Sequence, residues 1–146
     1  MVQIGREVNL SGEGTSVRIA NPWPGAGVTV VERTGSTMDD GLALGLRGMP
    51  TGTAVVAGFQ DRGRGRAPGR RWVSPAWESL LLTVVLRAED LGFPPPQLPL
   101  RVGLAVSRAV HDATGVAPQL RWPNDALMGG RKVAGNVKLA MVVPGS

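Results

Sequence analysis

A chain of 146 residues, 42% of them hydrophobic, has material for one buried core and one domain at most. Its formal charge of +5 rests on 14 arginines against 2 lysines, and it has no cysteine, which removes disulfide frameworks and thiolate metal sites and makes a reducing cytoplasm the default compartment. No run approaches the roughly 18 apolar residues of a membrane span, and the opening MVQIGREVNLSGEG has charges and glycines where a signal peptide needs an apolar centre.

Residues 1–27, rich in Gly, Ser and Pro, read as a peripheral arm with a weak strand at Ser16–Ala20 and a turn at PWPG; the folded domain is expected over 28–146. Val28–Glu32 is β-branched and reads as a strand. It leads into Ser36-Thr37-Met38-Asp39-Asp40, where a hydroxyl N-cap with acids in the first turn starts a helix to about Arg47. Thr53–Phe59 is an apolar run suited to a buried strand, and Leu80–Leu86 is another, closed by Arg87-Ala88-Glu89-Asp90 and the prolines at 94–96. From Leu100 to Thr114, Val102, Val106, Ala109, Val110 and Ala113 share one helical face, with Gly115 as the stop. Gln119–Trp122, Ala126–Met128 and Val133–Val143 are strand candidates, the last two joined by a Gly129-Gly130 turn. The alternation predicts an α/β (α+β) domain.

Between the second and third of these strands lies Gln60–Trp72, QDRGRGRAPGRRW, with Arg62, Arg64, Arg66, Arg70 and Arg71 among three glycines. Glycine lets backbone N–H groups face a ligand, and the guanidinium fork matches carboxylate and phosphate oxygens. The basic character is therefore concentrated at one loop and suits a small anion or phosphate chain. Three further segments carry chemistry. Ser36-Thr37 reads first as a helix cap and second as a place for a polar or anionic group at a helix N-terminus. Arg121-Trp122-Pro123-Asn124-Asp125 is a common turn type, or a carboxylate that holds Mg²⁺ beside phosphates. Lys132, in Arg131-Lys132-Val133-Ala134-Gly135, is an ordinary solvated lysine or a phosphate-binding cation. His111, Trp23 and Trp77 receive no role.

In order, Ser36-Thr37, Gln60-x-x-GRGR-x-x-GR-x-W, Ser74-Pro75, RWPND and RKVAG resemble the catalytic domain of the biotin protein ligases, in the biotin/lipoate ligase superfamily, over about Val28 to Gly135. The resemblance implies a mixed β-sheet packed with helices, of the class II aminoacyl-tRNA synthetase-like kind. It implies activation of biotin by MgATP to biotinyl-5′-AMP and pyrophosphate, then transfer to a lysine of a biotin carboxyl carrier protein or domain. By the same resemblance, Ser36, Thr37 and Gln60 hydrogen-bond the ureido ring of biotin, and Gly63, Arg64, Gly65 and Arg66 fold over biotin and the adenylate. Arg70 reaches phosphate, and Trp72 packs between the biotin and adenine subsites. Asn124 and Asp125 stand at the ribose, phosphate and Mg²⁺ end, with Asp125 as the metal ligand. Lys132 contacts the biotin carboxylate and the α-phosphate, and Gly135 belongs to the biotin site. Lys132 and Arg66 are the residues assigned to catalysis.

Departures from the family pattern set further expectations. Pro68 lengthens the arginine loop by one residue, Met38 stands where asparagine is usual, and Ala76-Trp77-Glu78-Ser79 replaces small residues and glycine. Asn136-Val137-Lys138-Leu139 does not fit the apolar strand expected after Gly135, and the chain reaches Ser146 before the further strands of such domains. The expectation is a C-terminally truncated catalytic domain without a DNA-binding domain, with an open edge on Val133–Val143 through which copies self-associate. The alternatives are a non-catalytic biotin-binding remnant lacking the adenine half of the site, a lipoate ligase, and a nucleic-acid binder using RGRGR. The last lacks the interleaved aromatics that base stacking needs.

Overall fold

The computed structural model describes residues 7–9, 16–18, 21–65, 67–122 and 125–135. They fall into two compact units, the first ending at Asp90 and the second beginning at Leu91.

In the first unit, β1 (Glu7–Asn9) and β2 (Ser16–Arg18) pair antiparallel with Val8 opposite Val17. Only the second was legible, since three residues give too little alternation to read. The sheet that follows has the order β3-β4-β5. β3 (Val28–Thr34) and β4 (Ala54–Gln60) are parallel, in register from Val28 opposite Ala54 to Thr34 opposite Gln60. Parallel neighbours need a crossover, and α1 (Thr37–Leu46) supplies it. β5 (Leu81–Val84) joins antiparallel on the other side of β4. β4 is therefore central, and Ala54, Val55 and Ala57 are buried together with Leu81 and Val85.

Two glycines set how closely this unit packs. A Cβ on Gly41 of α1 would overlap the Thr83 methyl of β5, so the helix lies against the sheet only because that position has no side chain. On β4, the Trp77 indole occupies the space a Cβ on Gly58 would need, and the Trp77 backbone N–H donates to the Gly58 carbonyl at 2.9 Å. Trp77 has a left-handed backbone, φ +62°, where the resemblance leads one to expect glycine. Trp77 and Gly58 are thus a complementary pair, and Trp23 covers Gly52 in the same way.

The second unit opens with a 3-10 turn at Pro95–Gln97 and α2 (Leu98–Thr114). The helix starts two residues before the expected Leu100 because Pro99 fits its first turn. It ends as expected at Gly115, φ +74°, whose N–H donates to the His111 carbonyl at 2.7 Å. Val102, Val106 and Val110 are half-buried, while Ala109 and Ala113 are exposed, so the covered stripe is narrower than the period suggests. β6 (Gln119–Arg121), β7 (Asp125–Met128) and β8 (Arg131–Gly135) form an antiparallel meander, with Gly129 and Gly130 both at positive φ in the β7–β8 turn. β8 accounts for the first part of the strand expected at Val133–Val143; residues 136–143 lie outside the described residues. The architecture is the expected mixed α+β one. No helix among the described residues is long and apolar enough to cross a membrane.

Candidate active site

In the first unit the site is built where β3 ends and α1 begins. Ser36 is the N-cap, with an extended backbone (φ −164°, ψ 128°), yet its hydroxyl does not cap the helix. The cap comes instead from β4. Because Gln60 pairs with Thr34 at the ends of parallel strands, its side chain lies beside the first turn of α1. Gln60 Oε1 accepts hydrogen bonds from the Thr37 N–H at 2.7 Å and the Thr37 hydroxyl at 3.0 Å. The Thr37 hydroxyl in turn accepts one from Thr83 Oγ1 at 2.9 Å. Ser36 and Thr37 are buried, with 4% and 5% exposure, so one serine hydroxyl is spared from capping inside a mostly enclosed polar corner.

The arginine loop runs away from this corner and doubles back. Gly65 N–H donates to the Arg70 carbonyl at 2.7 Å and Trp72 N–H to the Gly63 carbonyl at 2.9 Å, with Arg64 opposite Arg71. Side chains at 63 or 65 would collide with the Trp72 carbonyl or with Arg70, so both glycines are demanded by the loop's own folding as well as by any ligand. Gln60 Nε2 and the Trp72 Cβ both lie against Gly63, which joins the loop base to the polar corner.

The loop's charge is partly answered within the unit. Arg64 pairs with Asp39 in the first turn of α1, and hydrogen bonding from Arg64, helped by the nearby charges of Arg64 and Arg62, holds the Asp39 carboxyl below its ordinary range. Arg71 donates to the Asp61 carbonyl at 2.9 Å, while the Asp61 carboxylate, held low by its hydrogen bond to Arg33, takes a two-pronged contact from that residue. The Arg62 guanidinium lies over Gly35, and Arg70 is exposed. Arg66 lies outside the described residues.

The second unit carries its own cluster. Lys132 Nζ stands 2.9 Å from Asp125 Oδ1 on the β7–β8 hairpin. Regular pairing from the glycine turn would put Ala134 opposite Asp125. Val133 is an extra residue in the register, so Gly135 stands there instead. A Cβ on Gly135 would occupy the space of the Lys132 arm, so this bulge is what lets the lysine reach the carboxylate. Asn124 lies outside the described residues. Among the described residues, no group of three or more His, Asp or Glu side chains is arranged as a metal cage. Asp125 offers one carboxylate, which fits Mg²⁺ only in the usual manner of an ion held mainly by phosphate oxygens and water.

The predicted residues among those described therefore form two groups, Ser36, Thr37, Gln60, Gly63, Arg64, Gly65, Arg70 and Trp72 in the first unit and Asp125, Lys132 and Gly135 in the second. Thr83 and Asp39 were missed as members of the first. For Thr83 a signal existed, a lone hydroxyl inside the apolar run LLLTVVL; for Asp39 the helix-start reading absorbed the residue.

Residues 30–138 match the model of the biotin/lipoate A/B protein ligase family. The chain is 35% identical over 100 residues to the bifunctional ligase/repressor BirA of Bacillus subtilis (strain 168), covering 68% of this chain and 30% of that protein. It is 40% identical over 114 residues to the biotin–[acetyl-CoA-carboxylase] ligase of Mycobacterium tuberculosis, covering 73% of this chain and 41% of the other. The fold is similar, with a TM-score of 0.62 and 34% identity, to the biotin protein ligase from Aquifex aeolicus in complex with biotin and ATP, over 74% of this chain and 44% of that one. The chain thus spans less than half the length of each of these relatives. It belongs to the biotin/lipoate A/B protein ligase family.

Proposed function

We propose that this chain carries the substrate-activating part of a biotin protein ligase, joining biotin to ATP as biotinyl-5′-AMP for transfer to a lysine of a biotin carboxyl carrier protein in the cytoplasm. The observation that supports this best is the polar corner of Ser36, Thr37 and Gln60 beside a glycine-arginine hairpin, a set of donors and acceptors suited to a neutral urea ring next to cations suited to phosphate. The likeness to a ligase solved with biotin and ATP supports the same substrates.

In this reading the biotin carboxylate oxygen attacks the α-phosphorus of ATP, the bond to the β-phosphate bridge breaks, and pyrophosphate leaves. The acceptor lysine, as its free amine, then attacks the biotinyl carbonyl carbon and expels AMP, losing a proton as the amide forms. Two anions must meet in the first step. Lys132 is assigned to the carboxylate and α-phosphate, Arg66 and Arg70 to the phosphates and adenylate, Trp72 to the wall between subsites, and Asn124 with Asp125 to the ribose and Mg²⁺ end. When bound, Mg²⁺ offsets phosphate charge. Gly63, Arg64 and Gly65 line the loop that covers biotin and keeps water from the mixed anhydride.

The experiment is incubation of the chain with biotin, ATP and Mg²⁺, with pyrophosphate release and biotinyl-5′-AMP followed by mass spectrometry. Formation of both is expected. Biotin binding without either product would reduce the reading to a binding module, and absence of biotin binding would remove it.

A further inference from the structure

Resting on the biotin reading above, we propose that Thr83 is a positioning residue that, through the Thr37 hydroxyl, reinforces which end of the Gln60 amide faces the ligand, and so sharpens the site's choice of a carbonyl oxygen over an N–H group. A backbone N–H can only donate, so the 2.7 Å contact from Thr37 N–H identifies the capped end of the Gln60 amide as its oxygen. The Thr37 hydroxyl has one proton, and its 3.0 Å contact commits that proton to the same oxygen. It can then meet Thr83 only as an acceptor, and Thr83 must donate across 2.9 Å. The three bonds run in one direction, from β5 through α1 to β4.

What holds Thr83 to that duty is packing. Its methyl lies where a Cβ on Gly41 would be, and at a β-branched residue the position of the methyl fixes the position of the hydroxyl. With Oε1 occupied by two donors, Gln60 Nε2 is left on the side of Gly63, at the base of the arginine loop. The corner therefore offers N–H donors at this point. A urea oxygen fits; a protonated guanidine, which has only N–H groups to present, does not. Were the relay cut, the Thr37 hydroxyl would no longer be committed to Oε1, the Thr37 backbone N–H alone would hold the amide against turning, and that discrimination would narrow.

The test compares the parent chain with Thr83→Val, which keeps shape and strand preference without the hydroxyl, and Thr83→Ser, which keeps the hydroxyl. Each is titrated with biotin and with 2-iminobiotin, in which a guanidine replaces the urea, and exchange of the Thr37 amide is measured without ligand. Thr83→Val is expected to weaken biotin roughly tenfold, the value of about one hydrogen bond, to narrow the preference for biotin over 2-iminobiotin, and to speed Thr37 exchange. Thr83→Ser is expected to stay near the parent in all three. Parent-like affinity and preference in Thr83→Val would overturn the proposal, as would equal losses in both variants, which would mark Thr83 as packing alone. Should the parent bind no biotin, the functional reading falls separately. Thr37 exchange then decides the relay: acceleration in Thr83→Val but not in Thr83→Ser supports it, and no acceleration overturns it.

Discussion

The Gln60 corner and the Lys132 hairpin hold their polar groups by different physics. The first is enclosed and neutral. Turning the Gln60 amide would break two hydrogen bonds to Thr37 and leave an orphaned donor at the start of α1, a cost of about 1–3 kcal/mol per buried group. The second is built on the ion pair of Lys132 with Asp125, their side chains 36% and 31% exposed, and a pair near the surface is worth only about 0–1 kcal/mol. On the proposed function, the group assigned to a neutral urea ring is fixed in advance, whereas the cation assigned to a substrate anion rests on a partner that it can leave at little cost.

Loss of the Lys132 charge is expected to matter most. Lys132→Ala should lower pyrophosphate exchange by roughly 10²–10³-fold, the range for removing one donor to developing negative charge, while circular dichroism stays that of the parent. Exchange within a few-fold of the parent would remove Lys132 from the chemistry. Gly135→Ala tests the same arm without touching its charge. A Cβ there displaces Lys132 from Asp125, and misplacing a reacting group costs up to about a hundredfold. Exchange equal to the parent's would show that the resting position of the lysine is irrelevant.

How far these regions were legible depended on whether the deciding contact was local. The strand, helix and strand that form β3, α1 and β4, the Gly115 stop and the glycine turn before β8 follow from period and turn chemistry and are legible in the sequence. The bulge at Val133 was not, because nothing in Arg131-Lys132-Val133-Ala134-Gly135 distinguishes a regular hairpin from one with an extra residue. The Thr37–Thr83 bond joins residues 46 apart and depends on Gly41, which inside a helix reads only as a weak position. Ser36 was read as a capping hydroxyl; the parallel register that lets Gln60 take over that task is a tertiary fact. The arginines of the loop read only as cations for a small anion or phosphate chain, and the answering contacts of Asp39 and of the Asp61 carbonyl appear only when the chain is folded.

A smaller effect sharpens the first half of the comparison. Gly41→Ala gains about 1 kcal/mol of helix preference, but its Cβ would force α1 away from Thr83, and overpacking costs about 1–3 kcal/mol. A net loss of stability in urea is expected. A gain would show that the close approach is dispensable.

Smallest is the effect of acid on the loop anchor. The Arg64 contact lowers the folded-state pKa of Asp39 below its ordinary 3.8, so its contribution is fully present above that value and is lost as pH falls through the lowered one. Exchange at the Gly65 and Trp72 amides, corrected for the intrinsic effect of pH, should be steady from neutrality to about pH 5 and rise below about pH 4. Asp39→Asn should show the raised rate throughout. A rise already complete near pH 6 would assign the loop's closure to some other group.

The central claim, that Gln60 presents a fixed donor to a urea ring, is met most directly by calorimetric titration of biotin into the parent chain and into Gln60→Met, which keeps the length of the side chain and removes its amide. Saturable one-to-one binding by the parent and a loss of roughly tenfold or more in the variant are expected. Equal binding by the two proteins would contradict it.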